Sequence, residues 1–96
     1  MDPDPIITEL FFHRAELRPS ERLTVIAHRH LELMGRPTNS YWLQRMLGYD
    51  RATLDKTRAM CVNKRVLEYF GENGNTRITD ELREAVESRG QHDPAA

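Results

Sequence analysis

The sequence predicts an α+β fold, mostly α, in which four helical segments precede a two-stranded hairpin and a last helix follows it. Apolar residues recur at three- and four-residue steps in segments parted by proline and glycine, the signature of short amphipathic helices. The run Arg65-Val66-Leu67-Glu68-Tyr69-Phe70 and the run Arg77-Ile78-Thr79 flank a polar Gly71-Glu72-Asn73-Gly74-Asn75-Thr76 turn, as in a hairpin. With 96 residues, 39% hydrophobic and 30% charged, the chain has room for one small domain with a modest core. No apolar run approaches the roughly 20 residues that span a bilayer, so no membrane partner is expected.

Residues 1–18 form the first unit, an N-terminal amphipathic helix carrying Ile6, Ile7, Leu10, Phe11 and Phe12 and ending before Arg18-Pro19. It serves either as a cover for the core or as a dimer contact. Residues 19–88 form the main domain. Ser20 is placed to cap its first helix, whose stripe Leu23, Ile26, Ala27, His30, Leu31 and Met34 runs to a left-handed Gly35. Thr38 or Asn39 caps a helix ending at Leu47-Gly48, and Asp50 caps another running from Arg51 to Asn63 or Lys64. Asn73-Gly74 suits a two-residue type I′ turn, which pairs Phe70 with Arg77 and Tyr69 with Ile78 and turns Leu67, Tyr69 and Ile78 toward the core. The last helix spans 80–86, with an acidic first turn matched to its dipole, and residues 89–96 read as a disordered tail.

The net charge of −1 hides a segregation: residues 1–17 carry −3, 18–43 carry +2, 44–66 carry +4 and 67–96 carry −4. The cationic middle coincides with two helices and the turn between them. An acidic, Pro-rich opening, where a secretory signal would be basic and then apolar, points to a cytoplasmic protein, nucleoid-associated if it binds DNA. The lone Cys61 lies within a helical pattern, as a small buried hydrophobe does. His28 and His30 point about 200° apart on a helix and cannot share a metal, while His30, on the apolar stripe, reads as a core histidine. No metal, cofactor or catalytic constellation is expected, so the chain does not read as an enzyme.

The order of helices and hairpin resembles the winged helix-turn-helix transcription regulators. Leu43, Leu47, Gly48, Asp50 and Leu54 stand where that family has its helix-ending leucine and glycine, its turn cap and an aliphatic in the recognition helix. Cys61 takes the place of a leucine, Val66-Leu67 lead into the wing, and Arg77-Ile78-Thr79-Asp80-Glu81-Leu82-Arg83 reads as a strand passing into a capped helix. The match covers about 50 residues, and it implies a winged helix-turn-helix with a two-stranded wing and an extra N-terminal helix. Three positions depart from the family: Gln44 replaces a small alanine, Arg58 an inward aliphatic, and Arg65 the glycine that ends the recognition helix.

The resemblance implies a small transcriptional regulator that binds double-stranded DNA, as a homodimer where its site is palindromic. Helix 51–64 would offer Ala52, Lys56 and Asn63, flanked by Thr53, to the major groove, with Arg45, Arg51 and Lys64 on phosphates and Arg77 of the wing on the backbone or minor groove. Arg77 stacked on Phe70 is the competing reading of that side chain. Phe11, Phe12, Trp42 and Met46 are the candidates for a protein interface, because Trp42 and Met46 lie one turn apart where polar residues are usual. The alternative function is therefore a winged-helix module that binds a protein partner.

Overall fold

A computed structural model describes residues 3–92. The elements are α1 (Pro5–Phe12), α2 (Pro19–Leu33), α3 (Ser40–Leu47), α4 (Arg51–Asn63), β1 (Leu67–Phe70), β2 (Asn75–Ile78) and α5 (Asp80–His92), the strands forming one antiparallel sheet. The fold is thus α+β and mostly helical. None of the described helices is long and apolar enough to cross a membrane.

Helix ends follow local chemistry, with two corrections. Asp4 accepts the Ile6 and Ile7 amides at 3.0 and 3.2 Å and opens α1. In α2 the cap is Arg18, not Ser20: Pro19 already has helical geometry, and the Glu21 carboxylate reaches back to the Arg18 amide at 2.9 Å. Asn39 caps α3 through the Trp42 amide at 3.0 Å, which leaves the Thr38 hydroxyl free for another partner. Asp50 accepts the Thr53 amide at 2.7 Å, and Thr79 accepts that of Leu82 at 3.1 Å. The second correction concerns α5, which continues to His92 rather than ending near residue 88. Arg89 donates to Glu9 at 2.5 and 3.2 Å, and this tie to α1 holds the last turns; residues 93–96 lie outside the described residues.

Two helices end alike. In α2, Arg36 N–H meets the Leu31 carbonyl at 2.9 Å and Gly35 N–H meets that of Glu32 at 3.0 Å, with Gly35 at φ +68°. In α4 the same pair runs from Val66 to Cys61 and from Arg65 to Val62, but the left-handed position belongs to Arg65, φ +63°. Arg65 therefore takes the strained turn that a glycine would enter freely.

The core has two parts, and α2 contributes to both. Ile6, Leu10, Leu17, Val25, Cys61, Val66, Leu67, Ile78 and Leu82 join α1, α2, α4, the sheet and α5. Ala27, Leu31, Leu43 and Leu54, with Trp42, Leu47 and Tyr49 against them, join α2, α3 and α4. The expected inward stripe of α2 is correct only at Ala27 and Leu31, with Ile26 half-buried. The buried face holds Glu21, Thr24, Val25, Ala27, His28 and Leu31, whereas Leu23, His30 and Met34 face solvent. His28, not His30, is the core histidine. Its Nδ1–H donates to the Thr24 carbonyl at 2.7 Å, so Nε2 is the acceptor for the Thr76 hydroxyl at 2.7 Å. Polar groups with partners of this quality can occupy an inward face, and the helix has turned its phase to suit them.

The hairpin register differs from expectation by two residues. Leu67 pairs with Ile78, Glu68 with Arg77, Tyr69 with Thr76 and Phe70 with Asn75, across a four-residue loop. Gly71 and Gly74 take positive φ and Asn73 does not, so the turn is not type I′. The register is set from the base, where Leu67 and Ile78 are buried together. Thr79 is drawn out of the strand: its amide bonds to the Val66 carbonyl and its hydroxyl to the Arg65 carbonyl. Thr76, rather than Tyr69, then meets the core; its carbonyl accepts the Thr38 hydroxyl at 2.5 Å, and Tyr69 stays exposed.

Two stability predictions follow from these contacts. Burial lowers the His28 pKa from 6.5 to about 4, with Arg58 adding to the effect and the Thr24 bond opposing it. Between pH 6.5 and about 4 the unfolded chain binds the extra proton, so stability falls as pH falls through that window, by about 3 kcal/mol. Urea unfolding across this range measures it, and His28→Gln flattens that part of the profile. Arg65→Gly relieves the left-handed strain and raises stability by about 0.5–1 kcal/mol, read as a higher thermal midpoint.

Candidate nucleic-acid interface

The outward face of α4 carries Arg51, Ala52, Thr53, Lys56, Ala59 and Asn63, all exposed, while Leu54, Thr57, Arg58 and Cys61 are buried beneath it. The spacing of one apolar contact per turn divides the helix in this way. Arg51, Ala52, Thr53, Lys56 and Asn63, the five candidates on this helix, are thus brought together on one open surface. Two carboxylates border that surface: Asp50, exposed at the N-cap, and Asp55, which is shared by Arg51 at 3.0 Å and Arg58 at 2.7 Å. Those two guanidiniums, Arg58 foremost, hold its carboxyl below the usual range, so it stays ionised and largely neutralised.

Arg58, only 3% exposed, satisfies its charge with Asp55 and with the Ser40 hydroxyl at 3.2 Å, and reaches the Gly74 carbonyl at 3.5 Å. Its Nε finds no acceptor among the described residues. The side chain thus spans the start of α3, the middle of α4 and the hairpin loop. An aliphatic residue at this position would pack but could not tie the loop to both helices.

Other predicted contacts are otherwise engaged. The Lys64 ammonium sits 2.6 Å from Glu21, which is buried, and 2.8 Å from the Glu16 carbonyl. Burial alone would raise the Glu21 pKa; Lys64 and the Arg18 amide outweigh it and hold the carboxyl below its ordinary value. Lys64 is therefore a structural cation that keeps a buried carboxylate ionised. Arg77 pairs with Glu68, opposite it in the sheet, at 3.2 Å, and its guanidinium lies 5.2 Å from the Phe70 ring. The stacked reading of Arg77 is thus the one observed.

Arg45 remains exposed on α3, donating to the Tyr41 hydroxyl at 2.8 Å with its guanidinium 5.6 Å from that ring. Beside it lies a cation that the sequence reading did not single out. Arg36 stacks 4.8 Å from the Trp42 ring, and Arg45 also approaches that ring at 5.9 Å. Stacking leaves the in-plane N–H edge of a guanidinium open for a phosphate. A cation directly after the glycine that ends α2 and six residues before a tryptophan was the only hint available in the sequence.

The proposed interface residues part company. Trp42 is half-buried, packed against Ala27, Leu31, Leu43 and Leu54 and edge-on to Tyr41 at 5.4 Å, so much of its ring is used within the chain. Phe11 and Phe12 are exposed rather than laid over it, and Met46 lines a separate apolar groove with Ile7, Leu23, Ile26, Ala27, His30 and Leu47. Cys61 is buried, and burial, with Glu21 nearby, pushes its thiol up to about 12, far from reactive.

Lys64→Ala is expected to leave Glu21 buried without its cation and to cost about 2 kcal/mol of stability in urea unfolding. A loss of nucleic-acid affinity without that destabilisation would reverse the assignment of Lys64. No known protein family, curated protein or solved structure matches this chain.

Proposed function

We propose that this domain is a winged helix-turn-helix that binds duplex DNA as a small transcriptional regulator, with α4 in the major groove and the hairpin as its wing. The observation that carries the reading is the outward face of α4: it is open, bears Arg51 and Lys56, and the one carboxylate within the helix, Asp55, is paired by the buried Arg58. A helix of this kind enters the major groove, where Asn63 can pair with an adenine edge and Lys56 with guanine. Ala52 and Ala59 add little beyond contact with a thymine methyl, so sequence discrimination is modest.

Arg36, Arg45, Arg51 and Lys56 are the cations best placed for backbone phosphates; Arg51 reaches one by leaving Asp55 to Arg58, and Arg77 joins them only by giving up Glu68. About four such contacts predict that log affinity falls with log salt at a slope between about −3 and −4. Arg58 supports the reading indirectly, because it fixes the hairpin loop to the helix that would enter the groove. The competing function, a module for a protein partner, draws on the apolar groove beside Met46 and leaves α4 unused.

The test is a shift assay on random duplex DNA with Arg51→Ala plus Lys56→Ala. Both positions are exposed, so the fold is retained. Affinity is expected to drop at least about tenfold, and the salt slope to flatten by about 2. Unchanged affinity at moderate salt would rule out α4 as the contact surface.

A further inference from the structure

We propose that this chain is a two-fold homodimer whose interface is the outer stripe of α2 and the groove beside it, bounded by α1 and α3. The turned phase of α2 leaves Leu23, Ile26, His30 and Leu33 at steps of three, four and three residues on its outer side. That is the seam spacing by which one helix packs against another. Ile7 of α1 and Met46 and Leu47 of α3 wall the stripe into an open groove of about 330 Å³. Phe11 lies one helical turn beyond Ile7 on the same side of α1.

The size of the surface fits a second copy. Phe11, Leu23, Leu33, Met34 and Met46 keep 57%, 52%, 58%, 54% and 41% of their surface exposed. Together these five offer on the order of 400–500 Å² of apolar surface, about the apolar share of the 800 Å² that each partner gives to a standard interface. The same patch is at the upper end of what a monomer leaves in water. The groove is too open to enclose a small ligand, which needs most of its own surface covered.

Charge favours self-association over a charged partner. Across a two-fold axis the same patch is used on both copies, so a surface without unpaired charge is self-complementary, and a charge at the axis would face its own like. The groove is lined by Ile7, Leu23, Ile26, Ala27, His30, Met46 and Leu47, with no Lys, Arg, Asp or Glu. The arginines bordering the stripe are already engaged, Arg29 by Asp4 and Glu32 and Arg22 by the Arg14 and Leu17 carbonyls. The dimer stands independently of the DNA reading but deepens it. The outward face of α4 lies outside this surface, so pairing leaves it open on each copy.

Sedimentation of the full chain without DNA, across the micromolar range, is expected to give twice the chain mass, and Leu23→Glu plus Met46→Glu to give a folded monomer whose thermal midpoint, unlike that of the wild type, does not depend on concentration. His30→Glu, at the middle of the stripe, is a second variant in case the first does not fold, and is expected to weaken dimerisation at least about tenfold. A wild-type monomer throughout the range would overturn the proposal and turn the groove over to a different protein. A dimer that survives both variants would overturn it by placing the interface elsewhere. Because mass is read without DNA, failure here is separable from failure of the α4 contact.

Discussion

The middle of the hairpin is anchored to the helices by one buried contact above all, the hydrogen bond between the His28 imidazole and the Thr76 hydroxyl. Two strands of four residues cannot hold themselves in water. Their placement comes from Leu67 and Ile78 in the core and from Thr76, which His28 grips by its hydroxyl and Thr38 by its carbonyl. A donor or acceptor buried there without its partner costs about 1–3 kcal/mol, so the register, the inward face of α2 and the α2–α3 linker are decided together. Arg58 repeats the arrangement at the loop end, reaching from α4 to the Gly74 carbonyl. The hairpin is thus tied at its middle and at its tip to the helices on which it rests.

Two buried carboxylates account for much of the remaining order. Glu9 is held by Arg14 and Arg89, linking α1 to the end of α5, and Glu21 is held by Lys64, linking the start of α2 to the end of α4. Arg83 pairs with Glu32 and closes α5 onto α2. These pairs consume charge that the linear sequence displays as a basic excess. Of the +4 carried by residues 44–66, Lys64 is spent on Glu21 and Arg58 lies inside the fold, so the surface available to a polyanion narrows to α3 and the outward face of α4.

The same rotation of α2 produces both of these surfaces. By turning Glu21, Thr24 and His28 inward, the helix secures the hairpin and the end of α4, and it leaves Leu23, His30 and Met34 in water. An apolar outer stripe is a cost in an isolated domain and an asset where a second helix packs on it. The chain is therefore divided by face: one side of α2 holds the hairpin and the end of α4, and the other is left apolar and exposed.

Local pattern alone was enough for the number and order of the elements, the cap at Asp50, the narrowing of the α3 cap to Thr38 or Asn39, the burial of Cys61 and the exposed face of α4. These depend on neighbours within a few positions, where periodicity and capping act directly. It also marked Arg58 as an inward charge in need of a partner and Arg65 as a substitute for glycine. Only the tertiary structure decided the phase of α2, the hairpin register, the extent of α5 and the fate of Lys64 and Arg77. Each of these turns on a partner far along the chain: His28 on Thr76, Arg89 on Glu9, Lys64 on Glu21. A buried polar group is welcome only where its complement arrives, and that arrival is a property of the folded chain rather than of any local pattern.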